Sequence, residues 1–393
     1  MTLRDCVLRA ARRTGWGCVL LAGGAFHVGA QTSVDQWTVS PTPDLRLGTL
    51  DGPELTLLVN PRDALQVGTS VAIGMYLNNF FALRYFDEDG QVFADVGGFG
   101  KGPFELSSPF MSLIRLPGDS ILLLADERKI LVFGPNGENV RTARLQLPGW
   151  QGGIRAVGML DENSLLIRSA GFPFGPGVAE AEVVKVGVYD LSAEAGSVVA
   201  TYEGGTIGFG SDIVLYEPME PFVRVAAGEG RVWVSDKGGS EIRELIGGRS
   251  AVIPHDARPV TRAMRRTWAE AQTRGRTGPR LREIERHVAR VDFPSHLPFV
   301  QYLDVDPDGN LWVMRFEPPS STAPYHWDVF SPSGKWIAEV DAPFELLGLR
   351  PRQQGNPLVS TLMEIGNDYV LVRNEDELGV ARVHRHRLTK GSR

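Results

Sequence analysis

Short runs of apolar residues, each preceded by turn residues, recur along most of the chain. Near-continuous apolar runs of this length are typical of β-strands that are buried on both faces. The runs lie at residues 121–124, 165–167, 232–234, 311–313 and 370–372, with a divergent first copy at 71–73. The pattern therefore predicts six copies of one structural unit.

A second signal recurs near these runs, in which a phenylalanine ends an apolar strand and a glycine follows four residues later. It occurs at Phe86–Gly90, Phe133–Gly137 and Phe330–Gly334, and glycine supplies the positive φ that a tight hairpin needs. The centres of the six runs lie 43 to 79 residues apart, whereas a four-stranded propeller blade takes about 40–50 residues. We therefore expect an all-β fold, a six-bladed β-propeller of four-stranded antiparallel blades, in which the longer intervals hold insertions. A β-sandwich with a second domain is the alternative.

The ends of the chain also carry strand patterns. The segment 380–388 reads as a third strand of the last blade, and the segment 37–47 could supply its outermost strand from the other terminus. Such a join would remove exposed sheet edges. The expected organisation is a single propeller domain over residues 31–390.

In one region the spacing of the apolar residues changes from the strand pattern, with a period of two, to nearly every fourth position. Val260, Met264, Trp268 and Ala271 follow one helical face, and a second such face begins at Leu281, which predicts a helical hairpin. This insertion, residues 256–292 between the fourth and fifth blades, holds ten arginines and five acidic residues. Two interpretations remain open: a solvated outer face with intrahelical glutamate partners, or a lid or docking element for an acidic surface.

Residues 1–30 have the pattern of a signal peptide. Four arginines precede an apolar run from Trp16 to Phe26, and small residues follow at 28–30. The run is about half the length that a bilayer span needs, although a short membrane anchor is the alternative. Both cysteines, Cys6 and Cys18, lie inside this segment, so the mature chain would hold no thiol chemistry. We expect export to the periplasm or the cell exterior.

Composition and charge limit the classes of partner that this protein can bind. The chain has 45 glycines and 26 prolines, which shorten helices and strands. Its net charge is −6, and it becomes more negative once the arginines of the leader are removed. Nucleic acid and anionic lipid are therefore disfavoured as partners, no later stretch has the length of a membrane span, and a monomer is expected.

The segment Gly97–Leu106 reads GGFGKGPFEL. It resembles the G-R-x-G-x-G-P-G-E-F signature of exported bacterial six-bladed β-propeller proteins related to NHL repeats. The matching residues are Gly97, Gly100, Gly102, Pro103 and Glu105, whereas Gly98, Phe104 and Leu106 depart from the signature. The resemblance implies the propeller fold, and it implies little about function because that family is largely uncharacterised.

Few residues of the sequence indicate a binding or catalytic site. The long insertions, at 171–182, 203–221, 256–292 and 317–325, would crowd one mouth of the central channel, which makes that face the expected binding surface. Arginines at this mouth could hold a carboxylate, sulfate or phosphate group. The candidate binding residues are Arg155, Arg168, Arg224, His296, Gln301, Arg315 and Arg373.

Two classes of function follow. The first is an exported non-catalytic binding or scaffold protein, without a cofactor, that takes a protein, peptide or glycan on the insert-rich face. The second is a propeller hydrolase or lyase of the lactonase-like kind, with a divalent metal such as Ca²⁺ in the central channel. The innermost strands look apolar or basic, whereas Ca²⁺ needs several carboxylate or amide oxygens. The sequence therefore favours the binding protein, and it identifies no catalytic residue and no metal ligand.

Overall fold

The computed structural model is an all-β chain with one helical insertion. It describes residues 34–391 with the exception of 51, 78–79, 108–109, 126–127, 151–152, 170–179, 210–213, 217–218, 220–221, 237, 319–324, 343–359 and 376–378. The predicted signal peptide, residues 1–30, lies outside the described residues. No helix in the described ranges is both long and apolar enough to cross a bilayer.

Four sheets are built from strands that follow one another in the chain and pair antiparallel. The first holds β2 (Pro61–Val67), β3 (Ser70–Leu77), β4 (Phe80–Phe86) and β5 (Val92–Val96). The second holds β6 (Phe110–Arg115), β7 (Ile121–Ala125), β8 (Lys129–Phe133) and β9 (Asn139–Arg144). The third holds β10 (Ile154–Met159), β11 (Ser164–Ser169), β12 (Glu180–Asp190), β13 (Ala195–Phe209) and β14 (Val214–Tyr216). The fourth holds β15 (Arg224–Gly228), β16 (Arg231–Ser235), β17 (Glu241–Glu244) and β18 (Ser250–Val252).

The remaining strands form one eight-stranded sheet. Its order across the sheet is β19 (Val300–Val305), β20 (Leu311–Arg315), β21 (Tyr325–Phe330), β22 (Trp336–Ala342), β1 (Asp35–Leu47), β25 (Ala381–Thr389), β24 (Tyr369–Glu375) and β23 (Ser360–Ile365). The prediction of six separate blades is therefore wrong: the described chain forms four propeller-like blades and one eight-stranded sheet.

The physical reason is that strand β1 pairs along both of its edges. Its first residues, Asp35 to Thr38, pair in parallel with β22, and its later part, Thr38 to Leu47, pairs antiparallel with β25. A strand of 13 residues is long enough for its first part to pair with one strand and its later part to pair with another strand on the opposite edge. Hydrogen bonds therefore run without a break from β19 to β23, where the sequence pattern predicts two sheets.

The first strands of the sheets stand side by side around a central axis. Strand β2 lies beside β6 and β23, β10 lies between β6 and β15, and β15 also lies beside β19. The hydrophobic core lies between neighbouring sheets, so each second strand is covered on both faces. Leu123, for example, packs with Leu83 and Tyr85 of the preceding sheet, and all three are fully buried. This burial explains the near-continuous apolar runs.

The helical insertion consists of α1 (Arg262–Thr273) and α2 (Gly278–Val288), where the period of nearly four predicts helices. The Thr261 side chain caps α1 by accepting a hydrogen bond from the Met264 backbone N–H at 3.2 Å. Ile284 is the one fully buried residue among the described residues of the two helices. Ile284 packs with Val288 of the same helix, and most arginines of the hairpin are exposed.

The glycine-rich segment Gly97–Leu106 is a turn that connects β5 to β6. The Glu105 carboxylate accepts a hydrogen bond from the Gly102 backbone N–H at 2.8 Å, and Lys129 donates to the carbonyl oxygens of Gly102 and Glu105 at 2.6 Å. A Cβ at Gly100 would meet Glu105 Oε2 at 2.1 Å. These contacts give the segment a structural role, in which glycine leaves room for the glutamate.

Candidate functional site

A cavity of about 770 Å³ lies on the central axis. It is lined by residues of β2, β6, β10, β15, β19 and β23, which are the first strands of the four smaller sheets and the two edge strands of the eight-stranded sheet. Ligand pockets of roughly 300–1,000 Å³ enclose a small organic molecule. The cavity is therefore the candidate binding site of this protein.

One end of the cavity is rich in arginine. Arg62 is the second residue of β2, Arg155 the second of β10, and Arg224 the first of β15, while Arg168 pairs directly with Arg155 across the β10–β11 ladder. All four line the cavity. Because the first strands begin where the connections between sheets arrive, these guanidinium groups lie at the mouth that the sequence predicts to be insert-rich.

Arg224 is held in place by the neighbouring strand. Its Nε donates to the backbone oxygen of Gln301 at 2.7 Å, and its guanidinium lies 5.2 Å from the centre of the Phe222 ring. The Gln301 side chain in turn accepts a hydrogen bond from the backbone N–H of Glu317 at 3.0 Å. Glu317 forms an ion pair of 2.8 Å with Arg258. A continuous series of polar contacts thus connects the cavity wall to the base of the helical hairpin.

Six carboxylic acids also line the cavity, and three of them lie on the innermost strands: Asp63, Asp304 and Glu364. Asp63 of β2 accepts hydrogen bonds from the backbone N–H groups of Ala64 at 3.0 Å and of Leu113 at 2.9 Å. Glu364 of β23 accepts one from the Gln66 backbone N–H at 2.7 Å. Both acids therefore join one innermost strand to the next, which satisfies backbone donors that have no ladder partner between sheets.

Burial changes the protonation of these acids. Loss of hydration raises the pKa of Asp63 and of Asp304 to about 7, in each case against the hydrogen bonds from backbone N–H groups. Burial likewise raises the pKa of Glu364, although Arg115 opposes the effect at 2.5 Å. The negative charge of Asp304 raises the pKa of the Tyr302 hydroxyl. At neutral pH the cavity therefore holds carboxyl groups that can exchange protons.

Several polar groups of the cavity have no partner in the described part of the chain. The exposed guanidinium of Arg155 has no hydrogen bond or ion pair there, and neither has the Tyr302 hydroxyl. Asp304 accepts one bond at 2.8 Å, from the Val305 backbone N–H next to it. Polar groups that converge on a cavity without internal partners are what a ligand site needs.

The structure brings together some of the candidate residues that the sequence suggests. Arg155, Arg168 and Arg224 line the cavity, and Gln301 fixes Arg224 from outside it. His296 is exposed at the base of the hairpin, where its Nδ1 lies 3.0 Å from Ser295 Oγ. Arg373 donates to the backbone oxygen of Pro61 at 3.1 Å and pairs with Glu375. His296 and Arg373 do not line the cavity.

Arg315 belongs to a separate cluster between sheets. Its guanidinium donates to both oxygens of Asp328 at 2.9 and 2.7 Å, and to Glu339 at 2.7 Å. The His255 Nε2 lies 3.0 Å from the same Asp328 carboxylate. Burial of Asp328 acts to raise its pKa, but Arg315 and His255 outweigh burial and the pKa is lowered. Asp328 is therefore a buried anion that pairs with the Arg315 guanidinium and lies within hydrogen-bond distance of His255.

This cluster also contains the one set of three metal-ligating side chains among the described residues: His255, Asp328 and Glu339, whose ligand atoms lie within 4.8 Å of one another. The guanidinium of Arg315 bonds both carboxylates and so occupies the position that a cation would take. Among the described residues, Asp63, Asp304 and Glu364 of the central cavity do not form such a set.

Sequence reasoning missed Asp63 and Glu364. Both lie on strands whose other residues are mostly apolar, and a single carboxylate on such a strand is the signal that could have identified them. The insertions at 171–182, 203–221 and 317–325 lie only in part within the described ranges.

Comparisons with known proteins give structural neighbours and no sequence relatives. No family model matches the chain, and no curated protein matches it. A member of the DUF4221 family from Bacteroides vulgatus superposes with a TM-score of 0.52 at 11% identity, covering 91% of this chain and 100% of that one. A predicted exported protein from Bacteroides fragilis superposes with a TM-score of 0.50 at 12% identity, covering 92% of this chain and 98% of that one.

At this level of identity the likeness concerns the fold alone. Nearly the whole described architecture is shared with two bacterial proteins of known structure. The resemblance to six-bladed NHL-type proteins finds no support, since no family model matches and the sheets do not form six blades.

Proposed function

We propose that this protein is an exported, non-catalytic binding protein that holds an anionic ligand at the arginine-rich end of its central cavity. The observation that carries the proposal is the convergence of Arg155, Arg168 and Arg224 on one end of a cavity of about 770 Å³. Arg155 has no partner within the described chain, so its charge is available to a ligand.

A guanidinium group is well suited to bind an anionic ligand. Its planar set of donors matches a carboxylate, sulfate or phosphate group in two parallel hydrogen bonds. Arg224 is already oriented by its bond to Gln301, so little side-chain entropy is lost when it contacts a ligand. A cavity that removes part of the surrounding water strengthens these charged contacts further.

Export and the use of the insert-rich face complete the proposal. The N-terminal pattern of arginines followed by a short apolar run is typical of a signal peptide, and a structural neighbour from Bacteroides fragilis is itself a predicted exported protein. The arginine-rich end faces the side where the helical hairpin is inserted. A glycan or peptide that bears acidic groups would therefore meet basic residues both outside and inside the mouth.

The test is calorimetric titration of the purified protein with digalacturonate at low ionic strength, where charge contacts are least screened. Arg155→Gln should weaken binding by about ten- to a hundredfold, the value of one lost charge-assisted hydrogen bond. The matched control is Arg243→Gln, because Arg243 is an exposed arginine of β17 that pairs with Glu241 outside the cavity. Equal affinities of all three proteins, or no binding by the unmodified protein, would contradict the proposal.

One observation favours the alternative of a hydrolase or lyase. Asp304 lines the cavity with a pKa of about 7, which suits a group that transfers protons at neutral pH. Incubation of the protein with digalacturonate, followed by chromatography of the sugar, distinguishes the two functions. A binding protein returns the probe intact, whereas an enzyme of either kind yields cleaved product.

A further inference from the structure

Tyr302 and Asp304 present two polar groups on the same face of strand β19. They are two residues apart, and side chains at that spacing point to the same side of a strand. Both line the cavity. In the described chain the Tyr302 hydroxyl has no hydrogen-bond partner, and the Asp304 carboxyl has only the adjacent Val305 N–H. The groups are therefore positioned for a ligand and are not used by the fold.

The two groups differ in their distance from the arginine-rich end. Tyr302 follows Gln301 and lies within electrostatic range of Arg168 and Arg224, whose charges act to lower the pKa of its hydroxyl against Asp304 and burial, whereas Asp304 lies further along the strand. Arg224 is level with Gln301, because the two are joined by a hydrogen bond of 2.7 Å. Asp304 is three residues further along the strand, which is about 10 Å at the usual rise. A single small anion cannot contact both ends. A ligand that uses the whole wall must be extended and must differ in chemistry from one end to the other.

The part of the cavity lined by Asp304 and Glu364 favours a ligand that carries hydroxyl groups there. A carboxylate of the ligand would be repelled by ionised Asp304, whereas Glu364 is already paired with Arg115, which also lines this end of the cavity, at 2.5 Å. The part of the ligand beside Asp304 must therefore offer hydrogen-bond donors without negative charge. Burial raises the pKa of Asp304 to about 7, so at neutral pH this carboxyl group can donate as well as accept a hydrogen bond. The phenol of Tyr302 has the same two abilities. Such groups suit ligand hydroxyls, which also both donate and accept.

We infer that the ligand of the cavity is an acidic oligosaccharide, whose carboxylate pairs with the arginines while its hydroxyl groups bond to Tyr302 and Asp304. This inference rests on the proposed function, because it assigns the anionic end of the ligand to the same arginines. A peptide with an acidic side chain is the competing class, since its ammonium or amide groups would be the donors that reach Asp304.

The experiment compares four probes by calorimetric titration of the intact protein at pH 7. Digalacturonate has carboxylates and hydroxyls, adipate has carboxylates alone, lactose has hydroxyls alone, and the dipeptide Gly-Glu represents the peptide class. We expect digalacturonate to bind at least tenfold more tightly than each of the other three. Binding of adipate or Gly-Glu as tight as that of digalacturonate would overturn the inference and leave the anion site standing. Binding of lactose as tight as digalacturonate, or of no probe, would overturn both.

Variants separate the two ends of the ligand. Asp304→Asn and Tyr302→Phe should each lower the affinity for digalacturonate about three- to tenfold, which corresponds to the loss of one neutral hydrogen bond. Neither variant should change the weaker affinity for adipate. Arg155→Gln should weaken the binding of both digalacturonate and adipate. Far-ultraviolet circular dichroism of each variant checks that the fold is retained. Equal digalacturonate affinity for Asp304→Asn, Tyr302→Phe and the unmodified protein contradicts the assignment of the hydroxyl end.

Discussion

Glu364 accepts a hydrogen bond of 2.7 Å from the backbone N–H of Gln66, a residue 298 positions earlier in the chain. The same carboxylate bonds to the guanidinium of Arg115 at 2.5 Å and to the Tyr369 hydroxyl at 2.9 Å. One side chain therefore joins β23 to β2 and β6. It connects the edge of the eight-stranded sheet to the first and second blades.

Glu364→Ala tests this connection. The substitution leaves a backbone N–H, a phenol and a guanidinium without their shared acceptor, and each unsatisfied buried donor costs about 1–3 kcal/mol. We expect the free energy of unfolding to fall by at least about 3 kcal/mol in denaturant titrations. The control is Glu194→Ala, whose side chain is 51% exposed and pairs with Arg141 at the surface. It should change stability by less than about 1 kcal/mol, and equal losses in the two variants would contradict the prediction.

Trp37→Ala tests the double pairing of β1. The indole is 6% exposed and lies 5.6 Å from the ring of Trp312, measured between centroids. Removal of a buried tryptophan should lower the free energy of unfolding by about 3–5 kcal/mol. Val140→Ala on β9, where the valine is 60% exposed, serves as the control with little effect. Differential scanning calorimetry should show one transition that shifts as a whole, and an unchanged transition in Trp37→Ala would show that β1 contributes little.

Gly158→Ala tests how closely the first strands approach each other. A Cβ at Gly158 of β10 would lie 2.4 Å from the carbonyl oxygen of Ala227 on β15, so one strand must move. We expect a loss of about 1–3 kcal/mol, as for other overpacked sites, in thermal and denaturant unfolding. A Cβ at Gly239 would meet no atom within 4 Å. Gly239→Ala should therefore be neutral or slightly stabilising, and similar behaviour of the two variants would disprove the close approach.

The pH dependence of stability tests the burial of Asp304. Burial raises its pKa from an ordinary value of 3.8 to about 7 in the folded protein. Between these two values the folded state binds more protons than the unfolded state, so stability falls as pH rises from about 4 to about 7 and then levels off. Asp304→Asn should flatten this fall in unfolding titrations at pH 5, 6, 7 and 8. Asp89→Asn, at an exposed turn, is the control, and identical profiles for all three proteins would contradict the expected ionisation.

The hydrophobic pattern predicts the local structure well because local physics governs it. The predicted apolar runs are the second strands of the sheets, for example Ile121–Ala125, in which every residue is buried. The turn glycines Gly90, Gly137 and Gly334 have φ values of 77°, 84° and 83°, as their place after a strand-ending phenylalanine predicts. The two helices of the insertion likewise follow from a change of period.

The candidate site is less accessible to sequence reasoning. Arg155, Arg168 and Arg224 are predicted because they interrupt apolar strands near one mouth, and the structure places them on the same cavity. Arg315 interrupts a strand in the same way, yet it neutralises Asp328 between sheets. The facing of a side chain depends on strand register and on bulges, such as the shift between Val300 and Tyr302, and no sequence pattern reveals these.

The sequence by itself therefore determined the strands, their turns, the helical hairpin and the all-β class, because each depends on residues that are close neighbours in the chain. Only the tertiary structure decided that β1 unites β22 and β25 in one eight-stranded sheet, and that Asp63, Asp304 and Glu364 share a cavity with the arginines. These features join residues up to 351 positions apart, as in the pairing of Thr38 with Thr389. Their energies come from burial and from hydrogen bonds between distant strands, which exist only after the chain has folded.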